Sequence, residues 1–106
     1  MTSAVTEAYT LNFDPQMKVL SIAGEMVMDT VPPMLKQAKQ LLKDADKLEI
    51  DLQQVTRSDS SGLALLIDLM RHANGRVKEI RFRNMPKQML AIATASGLED
   101  FLPLGD

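Results

Sequence analysis

The run Asp59-Ser60-Ser61-Gly62 offers the chain's clearest chance of chemistry. Two hydroxyls and a carboxylate stand together where a polar stretch meets the apolar run Leu63-Ala64-Leu65-Leu66-Ile67. At the start of a helix the first N–H groups lack intrahelical partners and the positive end of the dipole is exposed. A hydroxyl there caps the helix, and a phosphate placed on it puts its charge beside favourable backbone donors. Gly62 keeps the first turn bare, so that a partner's backbone or an anion can approach. Two readings fit these four residues: a helix cap with its surface turn, or a recognition site.

Catalytic alternatives are weak. Neither the glycine spacing nor the lysine of a phosphate-binding loop is present, and Gly-x-Ser-x-Gly does not occur. The single histidine, His72, would lie roughly 18 Å from Ser60 by helical rise, too far to serve as its base. It reads as a polar surface residue near a helix end. With no cysteine in the chain it makes a poor metal ligand, so no metal and no cofactor are expected. Asp51 and Glu25 do not form an established carboxylate pair; Asp51 is expected to brace the following loop by accepting backbone hydrogen bonds. No catalytic residue is assigned, and the chain is expected not to be an enzyme.

The elements that must position Asp59-Ser60-Ser61-Gly62 follow from periodicity. Tyr9, Leu11 and Phe13 alternate with polar residues, Asp14-Pro15-Gln16 turns, and Met17 to Ala23 forms a second strand, so the fold opens with a β-hairpin. Gly24 to Asp29 connects to a helix capped by Asp29 or Thr30, with Pro32 and Pro33 in its first turn and apolar residues from Val31 to Ala45. Leu48, Ile50, Leu52 and Val55 predict a strand, and Ser60 to Ala73 a helix stopped by Asn74-Gly75. Val77, Ile80 and Phe82 predict another strand, and a third helix starts at Pro86 and stops at Gly97. Phe101, Leu102 and Leu104 form a last short element. The order is β-β-α-β-α-β-α, a layered α/β domain over 9–106 after a flexible N-terminus at 1–8.

Composition narrows the function classes. Twelve basic and 14 acidic residues give a net charge of −2, which argues against a nucleic-acid binder that relies on bulk positive charge. Arg71, Arg76, Lys78, Arg81 and Arg83 make a modest basic run that reads first as a solvated strand and loop. The opening residues carry no signal-peptide pattern, and the apolar run from Gly62 to Ile67 is too short to span a bilayer, so no direct membrane insertion is expected. Met34, Met70 and Met89 fit core positions, while Met26, Met28 and Met85 lie near element boundaries, where they either pack into loops or border a docking face.

From Leu48 to Leu66 the chain resembles the STAS domains, the family of bacterial anti-sigma factor antagonists and of sulfate-transporter tails. The resemblance rests on a strand leading to Asp-Ser-x-Gly at a helix start, then a leucine-rich run. It implies a mixed sheet flanked by helices and makes Ser60 the equivalent of the phosphoacceptor, with Asp59 its neighbouring acid. "VLSIAGEM" and "LAIATASGLEDFLP" extend the likeness to the family's phospholipid-transport branch, from about Leu11 to Pro103. That branch implies a cytoplasmic accessory subunit that binds the ATPase of an inner-membrane ABC complex maintaining outer-membrane lipid asymmetry. Where that branch usually has threonine then glycine, this chain has Ser60 and Ser61, nearer the antagonists. The alternative is therefore an anti-sigma factor antagonist that is phosphorylated at Ser60 by a serine kinase. On either reading the expected partner surface comprises Arg57, Asp59, Ser60, Ser61, Gly62, Leu65 and Met28, with Asp68 on the same helix stripe. Homodimerisation of the isolated chain stays open.

Overall fold

The computed structural model describes residues 2–5, 8–42, 47–73 and 79–103. Five strands, β1 (Thr2–Val5), β2 (Tyr9–Asp14), β3 (Val19–Met26), β4 (Lys47–Ser58) and β5 (Glu79–Arg83), form one sheet in sequential order. The first two pairings are antiparallel and the last two parallel. The helices are α1 (Val31–Leu41), α2 (Ser60–Ala73) and α3 (Lys87–Ala95), followed by a 3-10 turn at Glu99–Phe101.

Both parallel crossovers, β3-α1-β4 and β4-α2-β5, advance in the same direction across the sheet. Right-handed crossovers therefore put α1 and α2 on one face. The strand alternation agrees: Tyr9, Leu11, Phe13, Leu20, Ile22, Leu48, Ile50 and Leu52 are buried, while Thr10, Asn12, Ser21 and Asp51 on the opposite face are only partly covered. The layered α/β architecture agrees with the periodicity, the mixed sheet with the family resemblance, and the β2–β3 hairpin is in place.

Three local differences from the sequence reading have physical causes. Thr2–Val5, assigned to a flexible terminus, pairs as an edge strand with β2. β3 does not stop at Ala23 but runs on to Met26, because Gly24 is a strand residue with φ +96. A side chain at Gly24 would stand 2.3 Å from the Ala8 carbonyl oxygen, so glycine there permits strand contact rather than ending the strand. Thr30 occupies the N-cap of α1 without capping it. Its buried hydroxyl turns back to the loop, 2.8 Å from the Glu25 carbonyl, and accepts the Val27 N–H at 2.9 Å.

The start of α2 at Ser60 and the end of α3 fit their signals. α3 closes in a Schellman motif: the Gly97 N–H donates to Thr94 and the Leu98 N–H to Ala93, with Gly97 at φ +73. Pro86 is the residue before its first turn. Beyond α3 the chain returns over the sheet, Leu102 enters the core, and the Phe82 N–H of β5 donates to the Pro103 carbonyl at 2.9 Å. Ala45, Asn74-Gly75, Val77 and Leu104 lie outside the described residues.

Candidate functional site

β4 carries Asp59 and Ser60 to the end of the sheet where the parallel strands finish and α2 and α3 begin. Two irregularities in the β3–β4 register, near Ser21–Ala23 and Gly24–Glu25, accommodate additional β4 residues before the strand ends opposite Met26. The Ser58 N–H then donates to Gln88 Oε1 of α3 at 3.3 Å, and the Asp59 N–H to the Met26 carbonyl at 3.3 Å. Both ties fix the start of α2 against its neighbours.

Asp59, and not a serine, caps the helix. Its Oδ1 accepts the Ser61 N–H at 2.8 Å, its carbonyl accepts the Gly62 N–H at 3.0 Å, and its Oδ2 accepts the Met28 N–H at 3.3 Å. Partial desolvation raises the carboxyl's pKa. Hydrogen bonds from the Ser61 and Met28 amides, the Ser61 hydroxyl and the Gly62 amide outweigh it, and the net position is below the ordinary value. A carboxylate so engaged is a poor base for the neighbouring serine. Because Asp59 fills the capping role, the exposed Ser60 hydroxyl is released from it.

The expected partner residues divide into two groups. Ser60 is exposed, Ser61 and Asp59 are half-buried, Met28 is 71% exposed beside Asp59, and Arg57 is exposed and pairs with Glu25 at 3.5 Å. These five share one end of the sheet. Gly62 and Leu65 do not present a surface. A side chain at Gly62 would lie 2.9 Å from the Met26 carbonyl oxygen and 3.0 Å from Met89 Cε, so its bareness serves the domain's own packing. Leu65 is 1% exposed, because α2 is packed by α1 on one side and α3 on the other as well as by the sheet. Leu65 thus belongs to this core and not to a partner surface.

The solvent-facing line of α2 is instead Ser60, Ala64, Ile67 and Arg71, exposed or half-exposed at spacings of four, three and four. Counting a helical period from Ser60 finds it; the density of leucines hides it. Asp68 is half-exposed on the α1 side, where it meets Lys39 at 3.5 Å. Of the methionines near element boundaries, Met26 is fully buried and Met85 half-buried, leaving only Met28 outside.

The remaining candidates resolve structurally. Asp51 Oδ1 accepts the Gln53 N–H and Asn84 Nδ2, bracing the β4 irregularity and the end of β5 rather than the loop at Asp59. Arg81 pairs with Glu79 at 3.3 Å and Arg83 with Glu49 at 3.0 Å, so the β5 part of the basic run is locally balanced. His72 is half-buried, and its Nε2 has no hydrogen-bond partner. Among the described residues no three His, Asp or Glu side chains are grouped to hold a metal, and no helix is long and apolar enough to cross a membrane.

Comparisons with known proteins show the family and the fold. The family model described as "Mlab, STAS domain" covers residues 9–104. The intermembrane phospholipid transport system binding protein MlaB of Haemophilus influenzae is 32% identical over 100 residues, covering 87% of this chain and 95% of that protein. Among solved structures, an anti-sigma factor antagonist from Mycobacterium paratuberculosis superposes with a TM-score of 0.75 at 21% identity, covering 95% of this chain and 88% of the other. The unphosphorylated anti-sigma factor antagonist SpoIIAA gives 0.70 at 16% identity, with coverages of 93% and 89%. The chain, with its helix opening at Asp59-Ser60 on a mixed sheet, belongs to the Mlab-type STAS domain family.

Proposed function

We propose that this protein is a non-catalytic subunit of an intermembrane phospholipid-transport ABC system, docking on the ATPase through the end of the sheet at Ser60 and the outer line of α2. It would sit in the cytoplasm, held at the inner membrane by that complex. The likeness to MlaB over most of both chains supports the transport setting. The observation that carries the docking site is the freed Ser60 hydroxyl: Asp59 does the capping, so Ser60 stands exposed with no fold-stabilising duty, flanked by Met28. An apolar side chain beside polar groups at the rim suits a protein interface.

Binding of the purified ATPase to wild type, Ser60→Ala and Ser60→Tyr tests this. Loss of affinity in the tyrosine variant with unchanged thermal unfolding is expected; wild-type affinity in both variants would remove Ser60 from the interface.

A second reading, phosphorylation of Ser60 by a serine kinase as in anti-sigma factor antagonists, draws on the same exposure. A phosphate there would stand next to the Asp59 carboxylate of the preceding residue, adding repulsion and bulk at the docking face. Incubation with an anti-sigma factor kinase and intact-mass measurement distinguishes it: stoichiometric addition of one phosphate at Ser60 favours signalling.

A further inference from the structure

The outer line of α2 runs into a groove that the Ser60 end does not include. The groove encloses about 410 Å³ between the second half of α2 (Ile67, Met70), β5 (Ile80) and the returning segment Phe101–Pro103. Phe101 is 62% exposed although the next residue, Leu102, is buried at 7%. Two backbone ties hold it there: the Phe101 N–H donates to the Leu98 carbonyl at 3.0 Å, and Pro103 accepts from Phe82. With Leu102 filling the core position, the ring has no place inside. The ring therefore stays open along the groove, where a partner can cover it.

The charges of the groove describe that cover. Arg71 and Asp100 are its two charged lining residues, and neither makes an ion pair among the described residues. A lipid chain would satisfy the apolar walls and leave both charges unanswered. A peptide segment with an apolar side chain between a carboxylate and a cation answers all three features. Ile67 and Arg71 belong both to this groove and to the line from Ser60, so a protein lying along α2 reaches the groove at Ile67 roughly 10 Å beyond Ser60 by helical rise, and Arg71 at roughly 16 Å.

We infer that the groove formed by α2, β5 and Phe101 is a second anchor for the protein that docks at Ser60, taking from it a peptide segment with an apolar residue between an acid facing Arg71 and a base facing Asp100. This rests on the docking role proposed for Ser60, and the test separates the two. The affinity of the purified ABC ATPase is measured for full-length wild type, Phe101→Ser, Arg71→Glu and Ser60→Tyr. Met17→Ser serves as a control on the β2–β3 turn, at an equally exposed methionine (71%). Phe101→Ser and Arg71→Glu are each expected to weaken binding about tenfold, the scale of an interface anchor, with unfolding midpoints near wild type and Met17→Ser unaffected. A benzoylphenylalanine at position 101 should photocrosslink to the ATPase.

Wild-type affinity in both groove variants, with binding lost in Ser60→Tyr, would overturn the second anchor and leave the Ser60 interface standing. Absence of binding by the wild-type chain would overturn both. A concentration-dependent dimer of the isolated chain that Phe101→Ser dissolves would assign the groove to a second copy instead, overturning the peptide occupant.

Discussion

Asp59 reaches across 31 residues to hold Met28: Oδ2 accepts the Met28 N–H at 3.3 Å while Oδ1 caps α2 at Ser61. One carboxylate thereby joins the loop before α1 to the start of α2 and sets the exposed methionine beside the exposed serine. Replacement by alanine removes both ties and should cost about 1 kcal/mol, the usual worth of such a cap, measured by urea unfolding. It should also weaken ATPase docking, since Met28 loses its tether.

The same carboxylate makes stability depend on acid. Its folded-state pKa lies below the ordinary value of 3.8. Its contribution is therefore complete above the unfolded-state value and is lost as pH falls through the folded-state value. Asp59→Asn keeps a capping oxygen but cannot titrate. The stability difference between wild type and Asp59→Asn should shrink on acidification below about pH 4, as seen in unfolding curves at a series of pH values. A constant difference down to pH 2 would contradict this assignment.

Gly62 permits close contact between α2 and β3. Gly62→Ala gains helix propensity but drives a methyl against the Met26 carbonyl, a backbone atom that no rotamer change can move. A net loss of roughly 1–3 kcal/mol is expected, as for other overpacked sites. Gly24→Ala should be worse, because its left-handed φ of +96 adds strain to a 2.3 Å collision with Ala8. Unfolding midpoints for the two variants check the order.

Adjacent residues of α2 should separate stability from docking. Leu65→Ala, at a position 1% exposed, is expected to cost about 2–5 kcal/mol. Ala64→Arg, on the exposed side, should change stability by less than about 0.5 kcal/mol while lowering affinity for the ATPase. The paired measurement is calorimetric unfolding beside binding.

Much of the architecture was legible because its signals are local. Alternation at Tyr9, Leu11 and Phe13, the glycine stop of α3, and the strand–loop–helix passage through Asp59 depend on short stretches of chain. What escaped depends on neighbours. β1 has four small residues without an apolar rhythm, and it exists as a strand through pairing with β2. Gly24 looked like a strand terminator because its requirement comes from Ala8, sixteen positions earlier. Leu65 looked like interface because nothing in its own helix reveals that α1 and α3 both pack beside it. At the site, aspartate and serine are equally good caps by type; the approach of Met28 makes Asp59 the better placed one and leaves Ser60 outside.

The bond from Phe82 to Pro103 has a consequence for solubility. A terminal strand offers its amides as a template on which another chain can add, and repeated addition builds fibres. Pro103 takes one such amide and, as a proline, offers no amide of its own to continue the ladder. Clipping the chain ahead of Pro103 would open that seam and leave an edge amide of β5 free to recruit another copy of the chain.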